Sequence, residues 1–244
     1  MTVYRLDLSY DGTGFRGYAR QEGLRTVQGE LEAALATLLR ANVGTSVAGR
    51  TDAGVHARHQ VVSFQHDDVV DLDQLARSLR GLVGPEISIR SATAVADDFN
   101  ARFSATSRRY RYRIDTRPAH DPLTRSFVWH VGRPLDVAAM GAAATVFVGE
   151  HDFSSFCRSI EGRSNIRRLA ELTVEDTDGL LDIWAQANAF CHQMVRSLVG
   201  YLFDVGRGFS DGTHAGEVLA AGDRSAVATV APAHGLTLWE VGYE

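Results

Sequence analysis

One carboxylate, Asp52, stands two residues from a guanidinium, Arg50, in the run Ala48-Gly49-Arg50-Thr51-Asp52-Ala53-Gly54-Val55-His56-Ala57. Gly49 and Gly54 bracket the pair, and glycine can take backbone conformations closed to other residues and let a ligand approach the main chain. A carboxylate so placed can serve as nucleophile or general base, and a nearby cation keeps it ionised against desolvation. The run His59-Gln60-Val61-Val62-Ser63-Phe64 reads as a strand, which is expected to hold the loop at a sheet edge.

A second group is Ser107-Arg108-Arg109-Tyr110-Arg111-Tyr112-Arg113-Ile114. On a strand, Tyr110, Tyr112 and Ile114 share one face while Arg109, Arg111 and Arg113 share the other. Interleaved aromatic and cationic residues combine a stacking surface with phosphate attraction, the means by which single-stranded bases are held. The alternative is that both tyrosines are core and the arginines are solvated. A third group, Asn188 to Phe203, is a helical run too apolar for the surface, and Arg196 is its anomaly. A buried guanidinium there needs an acceptor, since unpaired buried charge is costly. The alternative is that it snorkels to a surface acid.

Other patterns are excluded or demoted. Gly12-Thr13-Gly14-Phe15-Arg16-Gly17 satisfies a dinucleotide spacing after a strand. A true dinucleotide unit needs a helix starting within the glycines and an acid ending the next strand. Here Gly23 interrupts, the helix waits for Thr26, and Glu30 and Glu32 fall inside it, so no nucleotide cofactor is expected. The segment is read as a flexible loop whose Arg16, Tyr18 and Arg20 reach a nucleic-acid backbone. His56 and His59 lack neighbouring cysteines, so no metal is expected. Cys157 and Cys191 are too few and too isolated for a disulfide framework.

The formal charge of −5 argues against nucleic acid until its distribution is read. Residues 100–117 carry six arginines against Asp115, and residues 157–168 carry Arg158, Arg163, Arg167 and Arg168 against Glu161. Acids gather instead at Asp67, Asp68, Asp71 and Asp73 and in the last 36 residues. Such segregation suits a polyanion-binding surface on an acidic protein. All 25 basic residues are arginine, each a planar fork able to chelate phosphate or stack on a base.

These groups need a scaffold. Val3 to Tyr10 alternates as a half-buried strand, and Val27, Leu31, Leu35, Leu38 and Leu39 recur at helical spacing after a candidate N-cap at Thr26. Strands are predicted near 59–65, 86–95, 107–115, 126–131, 169–176, 180–187 and 236–242. Helices are predicted near 72–81, 136–148, 190–206 and 213–221. The pattern is α/β or α+β, with a mixed, mainly antiparallel sheet flanked by helices. The Pro118–Pro122 loop divides it into halves at 1–117 and 118–244, expected to be similar and to share one sheet. No apolar run approaches the ~20 residues of a membrane span. Met1 to Asp7 has no signal-like apolar region, so a cytoplasmic protein is expected.

In order and separation, these segments resemble the tRNA pseudouridine synthase A family. The likeness runs through Tyr10-Asp11-Gly12-Thr13, Thr26-Val27-Gln28-Gly29-Glu30-Leu31, Gly49-Arg50-Thr51-Asp52-Ala53-Gly54-Val55-His56, Phe103-Ser104-Ala105-Thr106, Arg109-Tyr110-Arg111-Tyr112, Met194-Val195-Arg196 and His234-Gly235-Leu236. It departs at Tyr18-Ala19, where the family usually has Trp-Gln. The resemblance implies a pseudouridine synthase fold of two halves related by a pseudo-two-fold. It implies Asp52 as the catalytic aspartate, Tyr110 stacked on the target uracil and Arg196 paired with Asp52. It further implies tRNA uridines at positions 38 to 40 as substrates, a homodimer, base flipping, and neither metal nor organic cofactor. With it, Arg50, Arg58, Arg16, Arg20, Arg109 and Arg111 become candidates for substrate binding. A non-catalytic RNA-binding protein would explain the Arg and Tyr patterning but would leave Asp52 idle.

Overall fold

Alternation in the sequence becomes strand pairing, and helical spacing becomes a buried stripe, through most of the chain. The computed structural model describes residues 1–158, 162 and 164–243. The first elements are β1 (Thr2–Tyr10), α1 (Val27–Leu39), β2 (Thr45–Val47), β3 (His56–His66), α2 (Leu72–Leu82) and β4 (Ile87–Val95). They are followed by β5 (Ser107–Asp115), β6 (Trp129–His130), α3 (Val137–Val146), β7 (Gly149–Asp152), β8 (Ile166–Thr177) and β9 (Leu180–Ala187). The chain ends with α4 (Met194–Gly206), α5 (Ala215–Ala220) and β10 (Leu236–Gly242). Backbone contacts divide it into two compact units, Met1–Thr106 with Leu238–Glu244, and Ser107–Thr237. The division falls at 106/107 because β5 pairs antiparallel along its length with β9.

In the first unit the sheet order is β4-β1-β3-β10, with β2 also on β3. β1 lies antiparallel between β3 and β4, Leu6 opposite Val62 and Ala92. Leu6 and Leu8, with Val62 and Phe64, are buried with the apolar stripe Val27, Leu31 and Leu35 of α1 and Leu75 and Leu79 of α2. Both helices start where a side chain takes an orphan amide: Thr26 Oγ1 accepts from the Gly29 N–H, and Asp71 accepts from the Gln74 N–H. Such a cap is worth about 1 kcal/mol.

In the second unit β5, β9, β8 and β7 run side by side as antiparallel pairs, with the short β6 parallel on β5. Tyr110, Tyr112 and Ile114 of β5 and Leu181, Ile183 and Ala185 of β9 are buried, together with nearly every residue of α4. The helix expected from residue 190 begins at Met194, because Gln193 takes a left-handed conformation (φ 66°) that ends a turn before the helix can start. Two short strands, β2 and β7, fall outside the predicted elements, and the strand near 126–131 shrinks to two residues.

Cys157 and Cys191, read as isolated, are joined by a disulfide across a sequence separation of 34. The Arg158 N–H donates to the His192 carbonyl at 3.0 Å, which lays the two segments side by side. Among the described residues no helix is long and apolar enough to cross a membrane. Nor is there a group of three or more His, Cys, Asp or Glu able to hold a metal ion.

Candidate active site

Asp52 is half-buried on a loop that joins no strand ladder of its own. Its shape is set from both ends. On the C-terminal side the Val55 N–H donates to the Asp52 carbonyl at 3.1 Å, and Gly54 takes φ 79°, a conformation that excludes ordinary side chains. Gly49, expected to be similarly special, has no positive φ. It is held instead by Gln60 of β3, whose amide nitrogen donates to the Gly49 carbonyl at 2.7 Å and whose oxygen accepts the Gly49 N–H at 3.4 Å.

The first loop forms the floor. The Tyr18 N–H donates to the Thr51 carbonyl at 3.0 Å. Gly12 lies so close to the Val55 carbonyl that a Cβ would overlap it, and a Cβ on Gly17 would meet the Thr51 carbonyl at 3.0 Å. His56 Nδ1 accepts the Gly12 N–H at 3.0 Å and lies 3.1 Å from the Asp11 carboxylate, fastening the loop to the start of β3. The glycine pattern dismissed as a nucleotide fingerprint thus lets one loop lie flat against another. Sequence reasoning found Gly12 and Gly17 but not this use, because the opposing surface comes from residues 51–55.

The candidate cations fall into distinct settings. Arg16 and Arg50 are exposed, and among the described residues neither guanidinium carries a hydrogen bond or an ion pair. Arg20 reaches Glu32 at 3.3 Å while most of its side chain stays in solvent. Arg58 is exposed, its guanidinium 4.3 Å from the centre of the Trp239 ring. That stacking leaves the guanidinium edge open to an anion.

Within the second unit Tyr110 is buried and packs edge-on against Phe190, ring centres 5.1 Å apart. Arg196, half-buried on α4, donates from Nε to the Ala231 carbonyl at 2.8 Å, and the Ala231 N–H returns a bond to the Arg196 carbonyl at 3.0 Å. One acceptor for its guanidinium is therefore a backbone carbonyl. Next to it the Tyr112 hydroxyl donates to the Pro232 carbonyl at 2.8 Å. Burial pushes the Tyr112 phenol well up, partly offset by the Arg196 charge. Gly235 of the His234-Gly235-Leu236 run lies against the Tyr112 ring, too close for any Cβ.

Arg109 and Arg111, grouped with the substrate-binding candidates, face away from Tyr110. Arg109 forms a bidentate pair with Glu171, both bonds 2.9 Å, and stacks 4.3 Å from the Trp184 ring. Arg111 lies 3.8 Å from Asp182, which Arg113 grips at 2.7 Å on both oxygens. The cause is the strand alternation itself: one face of β5 is apolar and buried, the other meets acids on β8 and β9. Arg117 likewise closes on Asp115, holding that carboxyl below the usual range. In the other basic segment Arg167 turns back onto the Ser164 and Ile166 carbonyls, Arg168 is exposed, and Arg163 and Glu161 lie outside the described residues.

A family model described as tRNA pseudouridine synthase matches residues 143–244. The chain is 50% identical over 242 residues to tRNA pseudouridine synthase A of Frankia casuarinae, covering 98% of this chain and 88% of that one. It is 49% identical over 255 residues to the protein of that name from Streptomyces avermitilis, covering 98% and 87%. With the one from Cutibacterium acnes the identity is 43% over 249 residues, covering 100% and 89%. A solved structure of an H/ACA RNP bound to a substrate RNA containing 2′-deoxyuridine aligns with a TM-score of 0.36 and 12% identity, over 82% of this chain and 44% of that one. That likeness is too distant to carry an argument.

Proposed function

The chain belongs to the tRNA pseudouridine synthase A family, and from that premise we propose that it isomerises uridine to pseudouridine at positions 38, 39 and 40 of the tRNA anticodon stem-loop. One observation carries the reading: a half-exposed carboxylate, Asp52, sits on a loop clamped by Gln60, Tyr18 and Gly54, beside exposed and uncommitted Arg16 and Arg50. A carboxylate amid phosphate-binding cations weakens binding, so its presence there calls for a chemical task.

The reaction breaks the N1–C1′ bond, turns the detached uracil and joins C5 to C1′, while C5 loses its proton to solvent and N1 takes one up. Substrate and product have the same formula, so the protein must supply only a nucleophile or base, a grip on the free base, and exclusion of water. Asp52 is the nucleophile or base. Arg196 is its ion-pair partner and keeps it charged as the site is desolvated. Tyr110 stacks on the uracil and prevents its escape during the turn. A base within a stem is out of reach, so the nucleotide is flipped out at a cost of a few kcal/mol. Phosphate contacts from Arg16, Arg20, Arg50 and Arg58 repay that cost. Arg109 and Arg111 stand outside this set because Glu171 and Asp182 occupy them. The enzyme works as a homodimer, without metal or organic cofactor.

The test is tritium release from an unmodified tRNA transcript labelled at uridine C5, with the altered positions mapped. Wild-type protein releases tritium at 38–40. Asp52→Asn binds the transcript with nearly unchanged affinity and releases none. An active Asp52→Asn enzyme would defeat the assignment, and release mapped elsewhere would defeat the site choice.

A further inference from the structure

Gln60 of β3 is completely buried among Val61, Val62 and Phe64, an unusual place for a carboxamide. Besides its two bonds to Gly49, its amide nitrogen reaches the Tyr10 hydroxyl at 3.3 Å. Tyr10, the last residue of β1, is also buried, and its hydroxyl meets Thr51 Oγ1 at 2.8 Å. Burial raises the Tyr10 phenol to about 12, so it stays a neutral hydroxyl through the physiological range. Thr51 in turn precedes Asp52 in the chain and is itself buried. A side-chain relay thus runs from the core of the sheet through Tyr10 to the residue beside the carboxylate, and a parallel arm fixes Gly49. The loop is thus held by side chains from the sheet as well as by the backbone bonds Tyr18 N–H to Thr51 and Val55 N–H to Asp52.

We propose that Tyr10, Thr51 and Gln60 are positioning residues for the isomerisation, setting the reach and direction of Asp52 without touching the uridine. The proposal rests on the assignment of Asp52 as the catalytic carboxylate. An idle fold-filling network would satisfy the same buried groups, but it has no reason to converge on both residues that flank Arg50, immediately before Asp52. Gly49 and Thr51 fix the N-terminal side of the loop from which the Asp52 side chain leaves. A displacement of about 1 Å at a reacting group costs on the order of 100-fold in rate.

Tyr10→Phe deletes one hydroxyl and keeps the ring, and Thr51→Val deletes its partner while keeping the shape. Each is measured for kcat and KM by tritium release and for melting temperature, beside Thr51→Ser, Tyr10→Phe/Thr51→Val and Asp52→Asn. The expected result is a fall in kcat of roughly 10- to 100-fold in both single variants, with KM for tRNA within about twofold and at least partial recovery in Thr51→Ser. The double variant is no slower than the worse single one, because both remove the same bond. The proposal is overturned if Tyr10→Phe and Thr51→Val keep wild-type kcat while Asp52→Asn is inactive. It is equally overturned if kcat falls only in proportion to the folded fraction at the assay temperature, or if Thr51→Ser is as slow as Thr51→Val. An active Asp52→Asn enzyme would instead remove the reading beneath it.

Discussion

Replacing Gly200 by alanine should destabilise the protein, although the same change inside an ordinary exposed helix stabilises by about 1 kcal/mol. Gly200 lies within α4, where an added Cβ would sit 2.6 Å from the Thr229 carbonyl carbon, still nearer its oxygen, and 3.3 Å from the Ala231 nitrogen. Ordinary contact begins at 3.4 Å, so the 229–231 segment must retreat by about 1 Å or α4 must tilt. Overpacking of this kind costs about 1–3 kcal/mol. The retreating segment also carries the two bonds between Ala231 and Arg196 at 2.8 and 3.0 Å, each worth about 1 kcal/mol. With the helix-propensity gain of about 1 kcal/mol set against these losses, the net effect is about 2–4 kcal/mol of destabilisation. At about 2–4 °C per kcal/mol for a chain of this size, the melting temperature falls by roughly 4–16 °C. Tritium release slows further than the lost stability explains, because Arg196 has lost its anchor. Gly141→Ala is the control. Gly141 lies within α3 with nothing inside 4 Å of an added Cβ, so it should stabilise by about 0.5–1 kcal/mol. Thermal unfolding by circular dichroism measures both, and a Gly200→Ala protein that melts at or above wild type would refute the reasoning.

Asp7 gives a pH-dependent expectation. Burial raises its carboxyl, but bonds from His59 and Arg5 outweigh this and lower it to about 2. A pKa depressed on folding stabilises above the unfolded value near 4 and loses that contribution as pH falls toward 2, in all about 2 kcal/mol. Urea titrations should therefore show the gap between wild type and Asp7→Asn shrinking from pH 5 to pH 2; a constant gap would contradict the assigned pairing. For RNA binding, Arg50→Ala and Arg16→Ala should each reduce the slope of log affinity against log salt by about 0.7–0.9. Arg109→Met, whose guanidinium Glu171 already neutralises, should leave it unchanged, and equal slopes for all three would show that exposure does not select the contacts.

Much of the scaffold is legible in the sequence because its signals are local. Alternation at 107–115 separates Tyr110 and Tyr112 from Arg109, Arg111 and Arg113 before any partner is known, and Thr26 marks the start of α1. What stays hidden is pairing at a distance. Which arginines are spent depends on register: Arg113 lies opposite Asp182 and Arg111 opposite Trp184, neither readable from β5 alone. The Cys157–Cys191 link is hidden by the same kind of separation. Gln60 does leave a trace, an amide inside an apolar strand run, but its meaning comes only from Tyr10 and Gly49. Gly12 and Gly17 matched a familiar spacing for a reason outside that motif, the need to lie beneath residues 51–55.

The arginines of β5 that are gripped by their own acids also bear on turnover. For the proposed isomerisation, substrate and product tRNA carry the same charge in nearly the same places, so every phosphate contact holds both equally. Binding of that uniform kind lowers KM without speeding the chemical step, and it delays departure of the product. By tying Arg109 to Glu171 and Arg113 to Asp182, the sheet would withhold two cations that prolong the stay of a finished tRNA. An arginine-rich strand becomes a means of letting go.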